Sequence, residues 1–126
     1  MTTTANPIGL LMTTTASTAR PSTKASLGRK ERFDALYAVS DALALGAYRA
    51  IKEAGLRIPE DVAVIGVGDY QIAPFFDPPL SCVGVSHQEL AQQASHLLMK
   101  QLEKRGISSA VRVPVVETLR ASSGHY

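Results

Sequence analysis

The chain has 126 residues, enough for one domain at most, and its composition of 45% apolar and 19% charged residues is ordinary for a globular protein. Its single cysteine, Cys82, excludes an internal disulfide, and no apolar stretch is long enough to span a bilayer or to act as a secretory signal. We therefore expect a cytoplasmic protein without a membrane partner. The net charge of +2 is uneven, because residues 1–32 carry five basic side chains and one acidic one, whereas the remainder carries eight basic and ten acidic.

The first 32 residues are low in complexity. Thr, Ser and Ala supply 15 of the first 26 positions, and no helical or strand period persists there. This composition predicts a disordered leader over residues 1–32. Its basic side chains would allow nonspecific contacts with phosphates, although a solvated tail is the simpler interpretation.

Regular signals begin with a strand and a helix. The apolar run Ala35–Val39 predicts a buried strand. Ser40 can cap the helix that follows, and Asp41 suits the positive end of its dipole. Gly55 is typical of the position just after a helix C-terminus. The apolar face of this helix consists of Ala44, Ala47, Tyr48 and Ile51.

A second strand, a loop and a second helix follow. Val62–Ile65 is another continuous apolar run, as in parallel strands that are covered on both faces, and it completes a right-handed strand–helix–strand unit. The proline-containing loop 69–80 leads to an extended segment at Ser81–Val85. Ser86 and Glu89 then form a capping box that opens the second helix.

The second helix carries an apolar stripe, and a strand is predicted behind it. The helix extends to about Lys104, and the alternation of Val111, Val113 and Val115 predicts a half-buried strand. These signals together predict the α/β class, with parallel strands and flanking helices. The stripe consists of Leu90, Ala94, Leu97, Leu98 and Leu102.

Common catalytic and cofactor motifs are missing from the sequence. Gly66-Val67-Gly68 follows a strand, but a dinucleotide-binding fingerprint needs a third glycine, and position 71 is Gln. The three histidines show no metal-ligand spacing, and neither Ser81 nor Ser86 lies in a G-x-S-x-G setting. We therefore expect no catalytic residue, no metal, no cofactor and no enzyme activity.

Two carboxylates lie just beyond predicted parallel strands. Asp41 and Asp69 each follow the carboxyl end of such a strand, where open α/β sheets bind their ligands. Two acceptors at this edge would suit a ligand rich in hydroxyl groups. An equally good interpretation is that Asp41 only complements a helix dipole and Asp69 only caps a turn.

Four large apolar side chains gather in the loop between the second and third strands. Such a cluster must be covered by the rest of the fold or by a partner. A homodimer contact and internal packing are equally compatible with the sequence. The cluster consists of Tyr70, Ile72, Phe75 and Phe76.

Three segments resemble the lactose/galactose repressor (LacI/GalR) family in order and spacing. They begin at Ser40, Ala54 and Pro78 and read SDALALG, AGLRIPEDVAVIG and PPLSCV. The resemblance implies the C-terminal part of a periplasmic-binding-protein-like, Rossmann-like effector domain at residues 33–122, followed by a tail at 123–126. In this family a sugar or nucleobase effector lies between two α/β lobes. Its binding changes how the lobes pair in a dimer and thereby the operator affinity of a separate helix-turn-helix.

The resemblance also implies where an effector would bind, and this sequence departs from the family there. The family usually has Asn at the position of Ser40 and the carboxylate of a Gly-Phe-Asp motif at the position of Gly68. Ser40 and Asp69 are the residues that would replace these contacts. The predicted ligand-binding residues are Ser40, Asp41, Gly68 and Asp69.

No segment resembles the helix-turn-helix, its hinge helix or the opening strands of the first lobe. By the resemblance, the helix from Ser86 to Lys104 crosses to the other lobe, so the cover of its apolar stripe is missing. Several such side chains in water forfeit about 1.5–3 kcal/mol each, against a total stability of about 5–15 kcal/mol. We expect a truncated, marginally stable piece of a regulator that does not bind operator DNA specifically.

Two other functions stay open at this point. One is a periplasmic-type sugar-binding module. The other is a regulatory partner without DNA binding of its own, which would associate with a full-length relative through the loop around Phe75 and Phe76.

Overall fold

The computed structural model describes residues 33–103 and 110–124, together with Gly28 and the backbone of Ile8–Leu11. The described strands form one sheet in the order β1-β2-β3-β4-β5, in which β1 to β4 are parallel and β5 is antiparallel to β4. This arrangement confirms the α/β class. The elements are β1 (Ile8–Leu11), β2 (Ala35–Ala38), α1 (Asp41–Glu53), β3 (Ala63–Val67), β4 (Ser81–Val85), α2 (His87–Glu103) and β5 (Val115–Thr118), with short 3-10 helices at Ala73–Phe75 and Ala121–Ser123.

Local capping determines both ends of α1, as predicted. The Ser40 hydroxyl accepts a hydrogen bond from the Leu43 amide at 3.2 Å. At the other end Gly55 has a φ of 73°, in the left-handed region. The amides of Gly55 and Leu56 donate to the carbonyls of Lys52 at 3.0 Å and Ile51 at 3.1 Å, which is the Schellman pattern.

The core lies between α1 and one face of the sheet. The T-shaped contact between Tyr48 and Phe76, at 5.0 Å between ring centroids, joins the helix to the loop after β3. The Tyr48 hydroxyl donates to the Pro78 carbonyl at 3.0 Å, and burial raises the pKa of this tyrosine. The largest fully buried apolar side chains of this core are Ile51, Val62, Val64 and Leu80.

Helix α2 stands apart from this core. Its capping box is confirmed, because the Glu89 amide donates to the Ser86 hydroxyl at 3.2 Å. None of its residues is buried. Leu98 and Leu102 of the predicted apolar stripe are 57% and 69% exposed, so the described residues leave this stripe uncovered. Within the described part of the chain, neither helix combines the length and apolarity needed to cross a bilayer.

The prediction of a leader without structure was wrong for four residues. Ile8–Leu11 forms β1 and pairs in parallel with β2. The run is short and apolar, which is the same signal that predicted the other parallel strands. Because its partner lies more than twenty positions away, the pairing depends on tertiary structure. The rest of the leader, at 1–7, 12–27 and 29–32, lies outside the described residues.

The C-terminal segment also differs from its prediction. The last strand begins at Val115 and not at Val111, since Pro114 has no amide hydrogen to donate to a sheet. Ser122 belongs to the core, where its hydroxyl donates to the Val64 carbonyl at 2.6 Å and accepts from the Ser81 amide at 2.8 Å. The predicted tail starts within the 3-10 helix that makes these contacts, and residues 125–126 lie outside the described residues.

Candidate functional site

The carboxyl ends of β2, β3 and β4 meet at one edge of the sheet because these strands are parallel. Ser40 and Asp41 follow β2, Gly68 and Asp69 follow β3, and His87 follows β4. The structure therefore brings the four predicted ligand-binding residues to the same edge, which we call the carboxyl edge. In open α/β sheets ligands bind outside these strand ends.

Asp41 is an internal acceptor at the carboxyl edge. It is 1% exposed, and its Oδ2 accepts a hydrogen bond from the Tyr70 amide at 2.7 Å. Its Oδ1 accepts from the Cys82 thiol at 3.4 Å. Gly66 permits this arrangement, because a Cβ there would lie 2.9 Å from Asp41 Oδ1. Asp41 thus joins the start of α1 to the loop after β3 and to β4, a role that neither sequence interpretation included.

The Cys82 thiol is held in its neutral form. Burial, followed by the negative charge of Asp41, raises the pKa of Cys82 from 9.0 to about 12. Because only the unfolded thiol ionises between these values, its contribution to stability is complete below about pH 9 and is lost as the pH rises toward 12. The thiol therefore acts as a hydrogen-bond donor and not as a nucleophile.

We predict that Cys82 resists labelling by a thiol reagent such as dithiobis(nitrobenzoate) while the chain is folded. The thiolate is the reacting form, and at pH 8 the shift reduces its population by a factor of roughly a thousand. Stopped-flow absorbance should show slow labelling in buffer and fast labelling in urea. Equal rates in the two solvents would contradict the burial of this side chain.

Asp69 fastens β5 to the carboxyl edge. It has a φ of 54°, and its Oδ2 accepts from the Thr118 hydroxyl at 2.9 Å. Its Oδ1 forms an ion pair with Arg120 Nη2 at 2.8 Å, and the same guanidinium donates through Nη1 to the Leu80 carbonyl at 2.6 Å. Sequence reasoning missed Thr118 and Arg120, because their approach to Asp69 follows only from the register of β5 on β4.

Ser40 and Gly68 contribute backbone geometry more than free polar groups. The Ser40 hydroxyl is engaged in capping α1. Gly68 has a φ of 125°, and a Cβ at this position would lie 2.6 Å from Cε2 of Tyr70. The tyrosine ring therefore lies against the Gly68 backbone, in the space that the side chain of any other residue at position 68 would occupy.

A pair of stacked rings is the most exposed feature of the carboxyl edge. Tyr70 and His87 lie 4.7 Å apart between ring centroids, at 29° between their planes. They border a cavity of about 480 Å³. The sequence did not indicate this pair, because Tyr70 was considered only as part of the apolar loop cluster and His87 only as a histidine without metal-ligand spacing. The two residues meet only through the fold. The other residues that line the cavity are Tyr37, Val67, Gly68, Val83, Gly84, Val85, Leu90 and Val115.

The apolar loop cluster divides between the core and the surface. Phe76 is 8% exposed, so this residue packs inside the protein, which is one of the two alternatives that the sequence left open. Ile72 and Phe75 are 52% and 83% exposed. Together with Leu45 of α1, which is 53% exposed, they line a groove of about 600 Å³ on the outer side of the helix. We call Leu45, Ile72 and Phe75 the α1 patch.

No group of three or more histidine, cysteine, aspartate or glutamate side chains is placed to hold a metal ion among residues 33–103 and 110–124.

The sequence and the fold have counterparts in known proteins. Residues 5–123 match the family model of the periplasmic binding protein-like domain, so the match extends beyond residues 33–122 into the leader. The chain is 40% identical over 100 residues to the lactose operon repressor of Rhizobium radiobacter, covering 79% of this chain and 88% of that one. That relative is a transcriptional repressor.

Two solved LacI family transcriptional regulators share the fold. The regulator from Enterococcus faecium with bound ribose matches with a TM-score of 0.78 and 27% identity, covering 86% of this chain and 40% of that one. The regulator from Arthrobacter sp. FB24 in complex with lactose matches with a TM-score of 0.74 and 29% identity, covering 86% and 41%. The chain spans about two fifths of these solved regulators. It belongs to the periplasmic binding protein-like family and corresponds to part of the effector domain of LacI-type transcriptional repressors.

Proposed function

We propose that this chain acts within a LacI-type transcriptional regulator as an effector-responsive element, and that it binds a small-molecule effector at the carboxyl edge. The observation that carries the proposal is the convergence of Ser40, Gly68–Asp69 and His87 at the ends of three parallel strands. Two solved relatives contain bound lactose and bound ribose, which supports an effector about as large as a mono- or disaccharide. The proposed role is non-catalytic and cytoplasmic, and operator DNA would be contacted by a helix-turn-helix of such a regulator.

Nuclear magnetic resonance of the labelled chain tests the effector proposal. Amide shifts should be recorded with lactose, ribose, a set of other sugars and glycosides, and nucleosides as probes. We expect at least one probe to shift the amides of Gly68–Tyr70 and Ser86–Gln88 while leaving those of the α1 patch unchanged. Saturable shifts confined to another surface, or none with any probe, would show that the carboxyl edge is not an effector site.

We also propose that the α1 patch is covered by a second copy of the chain. Its apolar centre is bordered by the ion pairs Lys52–Asp77 at 2.8 Å and Arg49–Glu53 at 3.0 Å. An apolar centre with a charged rim is typical of protein interfaces. Because the rim carries both signs, a second copy related by a two-fold axis would meet opposite charges there, as a symmetric dimer requires.

We predict that Phe75→Glu abolishes this self-association. A carboxylate at the most exposed ring of the α1 patch would be desolvated in the interface without a partner charge. Size-exclusion chromatography with light scattering should show a concentration-dependent dimer for the wild type and a monomer for the variant. The matched control is Leu98→Glu on the exposed stripe of α2, which should leave the dimer intact. If Leu98→Glu dissociates it and Phe75→Glu does not, the copies meet through α2 and the proposal is wrong.

A further inference from the structure

The predicted acceptors at the carboxyl edge are already engaged within the chain. Both oxygens of Asp41 accept hydrogen bonds, from the Tyr70 amide and from the Cys82 thiol. Asp69 is held by the Thr118 hydroxyl and by the Arg120 guanidinium. Asp41 is buried and out of reach of a ligand, whereas the Asp69 side chain is 29% exposed and keeps acceptor sites beyond these two contacts. At most one of the two predicted carboxylates can therefore accept from a ligand rich in hydroxyl groups.

The edge presents aromatic rings instead. Tyr70 is 55% exposed, and His87 beside it is exposed as well. Two contacts hold Tyr70 in place. Its amide donates a hydrogen bond to Asp41 Oδ2 at 2.7 Å, and its ring lies against Gly68, where a side chain would not fit. A ring that is held in place while much of its surface stays in water is suited to stacking with a ligand.

The cavity beside the rings continues this apolar surface. Its volume is about 480 Å³, within the range of roughly 300–1,000 Å³ found for small-molecule sites. A third ring, Tyr37, lines it together with Tyr70 and His87, and most of the remaining wall consists of the aliphatic side chains of Val67, Val83, Val85, Leu90 and Val115. These walls offer dispersion contacts to a flat apolar group and few hydrogen-bonding partners to a polyol.

We propose that the carboxyl edge takes an effector that carries a planar aromatic ring, which stacks on the Tyr70–His87 pair and enters the adjoining cavity. The inference rests on the proposed effector site and specifies its ligand class. Tyr70 and His87 are the specificity-determining residues, and Asp41 is a positioning residue that acts through the Tyr70 amide. Any sugar portion of the effector would then be recognised by groups other than Asp41, which is buried.

The test compares two glycosides that share one sugar. Titrations of the full 126-residue chain, followed by amide shifts, should use 4-nitrophenyl β-D-galactoside and methyl β-D-galactoside. We expect the aryl glycoside to bind about tenfold more tightly, with shifts of the Tyr70 and His87 side-chain resonances. Tyr70→Ala should remove this advantage, whereas Tyr70→Phe should keep it. Leu98→Ala, which removes an exposed apolar side chain of α2 outside both the cavity and the α1 patch, is the control and should leave both affinities unchanged.

Three outcomes would overturn the inference in distinguishable ways. Equal affinity of the two glycosides at the carboxyl edge would refute the aromatic ligand class and leave the proposed effector site standing. An aryl preference that survives both Tyr70→Ala and His87→Ala would show that the ring binds elsewhere. No binding of either glycoside, together with no response to the sugars and nucleosides, would refute the inference and the effector site alike. Amide spectra of each variant report whether it is folded.

Discussion

Leu80→Ala is expected to lower the free energy of unfolding by about 2–5 kcal/mol. Leu80 is fully buried and lies where the loop from β3 returns to β4. Its Cδ2 approaches Gly66, and its carbonyl accepts from Arg120, so the space left by alanine is bounded by bonded backbone that closes poorly. Urea unfolding followed by circular dichroism measures the loss.

The control for this prediction is Leu98→Ala, which removes the same atoms from a side chain that is 57% exposed and lies outside the α1 patch. We expect a change of no more than about 0.5 kcal/mol. Small domains have only about 5–15 kcal/mol of stability, and the uncovered stripe of α2 adds none, so Leu80→Ala should remove a large share of the total. Equal effects of the two substitutions would contradict the placement of the core.

Gly84→Ala is expected to destabilise the chain by about 1–3 kcal/mol and to disturb the carboxyl edge as well. A Cβ on Gly84 would lie 2.8 Å from the Gly68 carbonyl oxygen and 2.9 Å from its carbon. These are backbone atoms, and the Gly68 amide is bonded to the Val83 carbonyl at 3.0 Å, so they cannot move aside without breaking the pairing. Gly68 should shift and carry the Tyr70 ring away from His87, which side-chain resonances would report.

Gly55→Ala separates backbone strain from this close approach. Nothing lies within 4 Å of a Cβ at Gly55, but its φ of 73° is unfavourable for alanine. We expect a cost of about 1–2 kcal/mol without any change at Tyr70 and His87. If Gly84→Ala changes neither the stability nor these resonances, the two strand ends do not approach as closely as the structure indicates.

Signals that act within a few residues were interpreted correctly from the sequence. The Ser40 cap, the Gly55 stop and the Ser86–Glu89 box all depend on hydrogen bonds between neighbours in the chain. The apolar runs also predicted the strands β2 and β3 correctly. The described residues bury only alternate positions of these strands, so the expectation that both faces are covered was not met. The same signal at Ile8–Leu11 went unused, because the low complexity around it suggested disorder.

The roles of the site residues were not predictable in the same way. Asp41 and Asp69 were correctly placed at the ends of strands, but their partners are Tyr70, 29 residues along the chain, and Thr118, 49 residues along it. Spacing alone could not decide whether each carboxylate faced a ligand or the protein. The Tyr70–His87 pair was missed for the same reason, since neither residue is unusual until the strand ends bring them together.

The sequence by itself determined the family, the α/β class, the helix ends and most strands of this protein, because these depend on local hydrogen bonds and on which residues avoid water. Only the tertiary structure decided what the carboxyl edge offers to a ligand. The register of the parallel strands depends on the close approach that Gly66 and Gly84 permit. In this register Asp41 and Asp69 bind groups of the protein, and the rings of Tyr70 and His87 are exposed to solvent. Contacts between distant residues depend on that register, and the register cannot be inferred from the composition or periodicity of the separate segments.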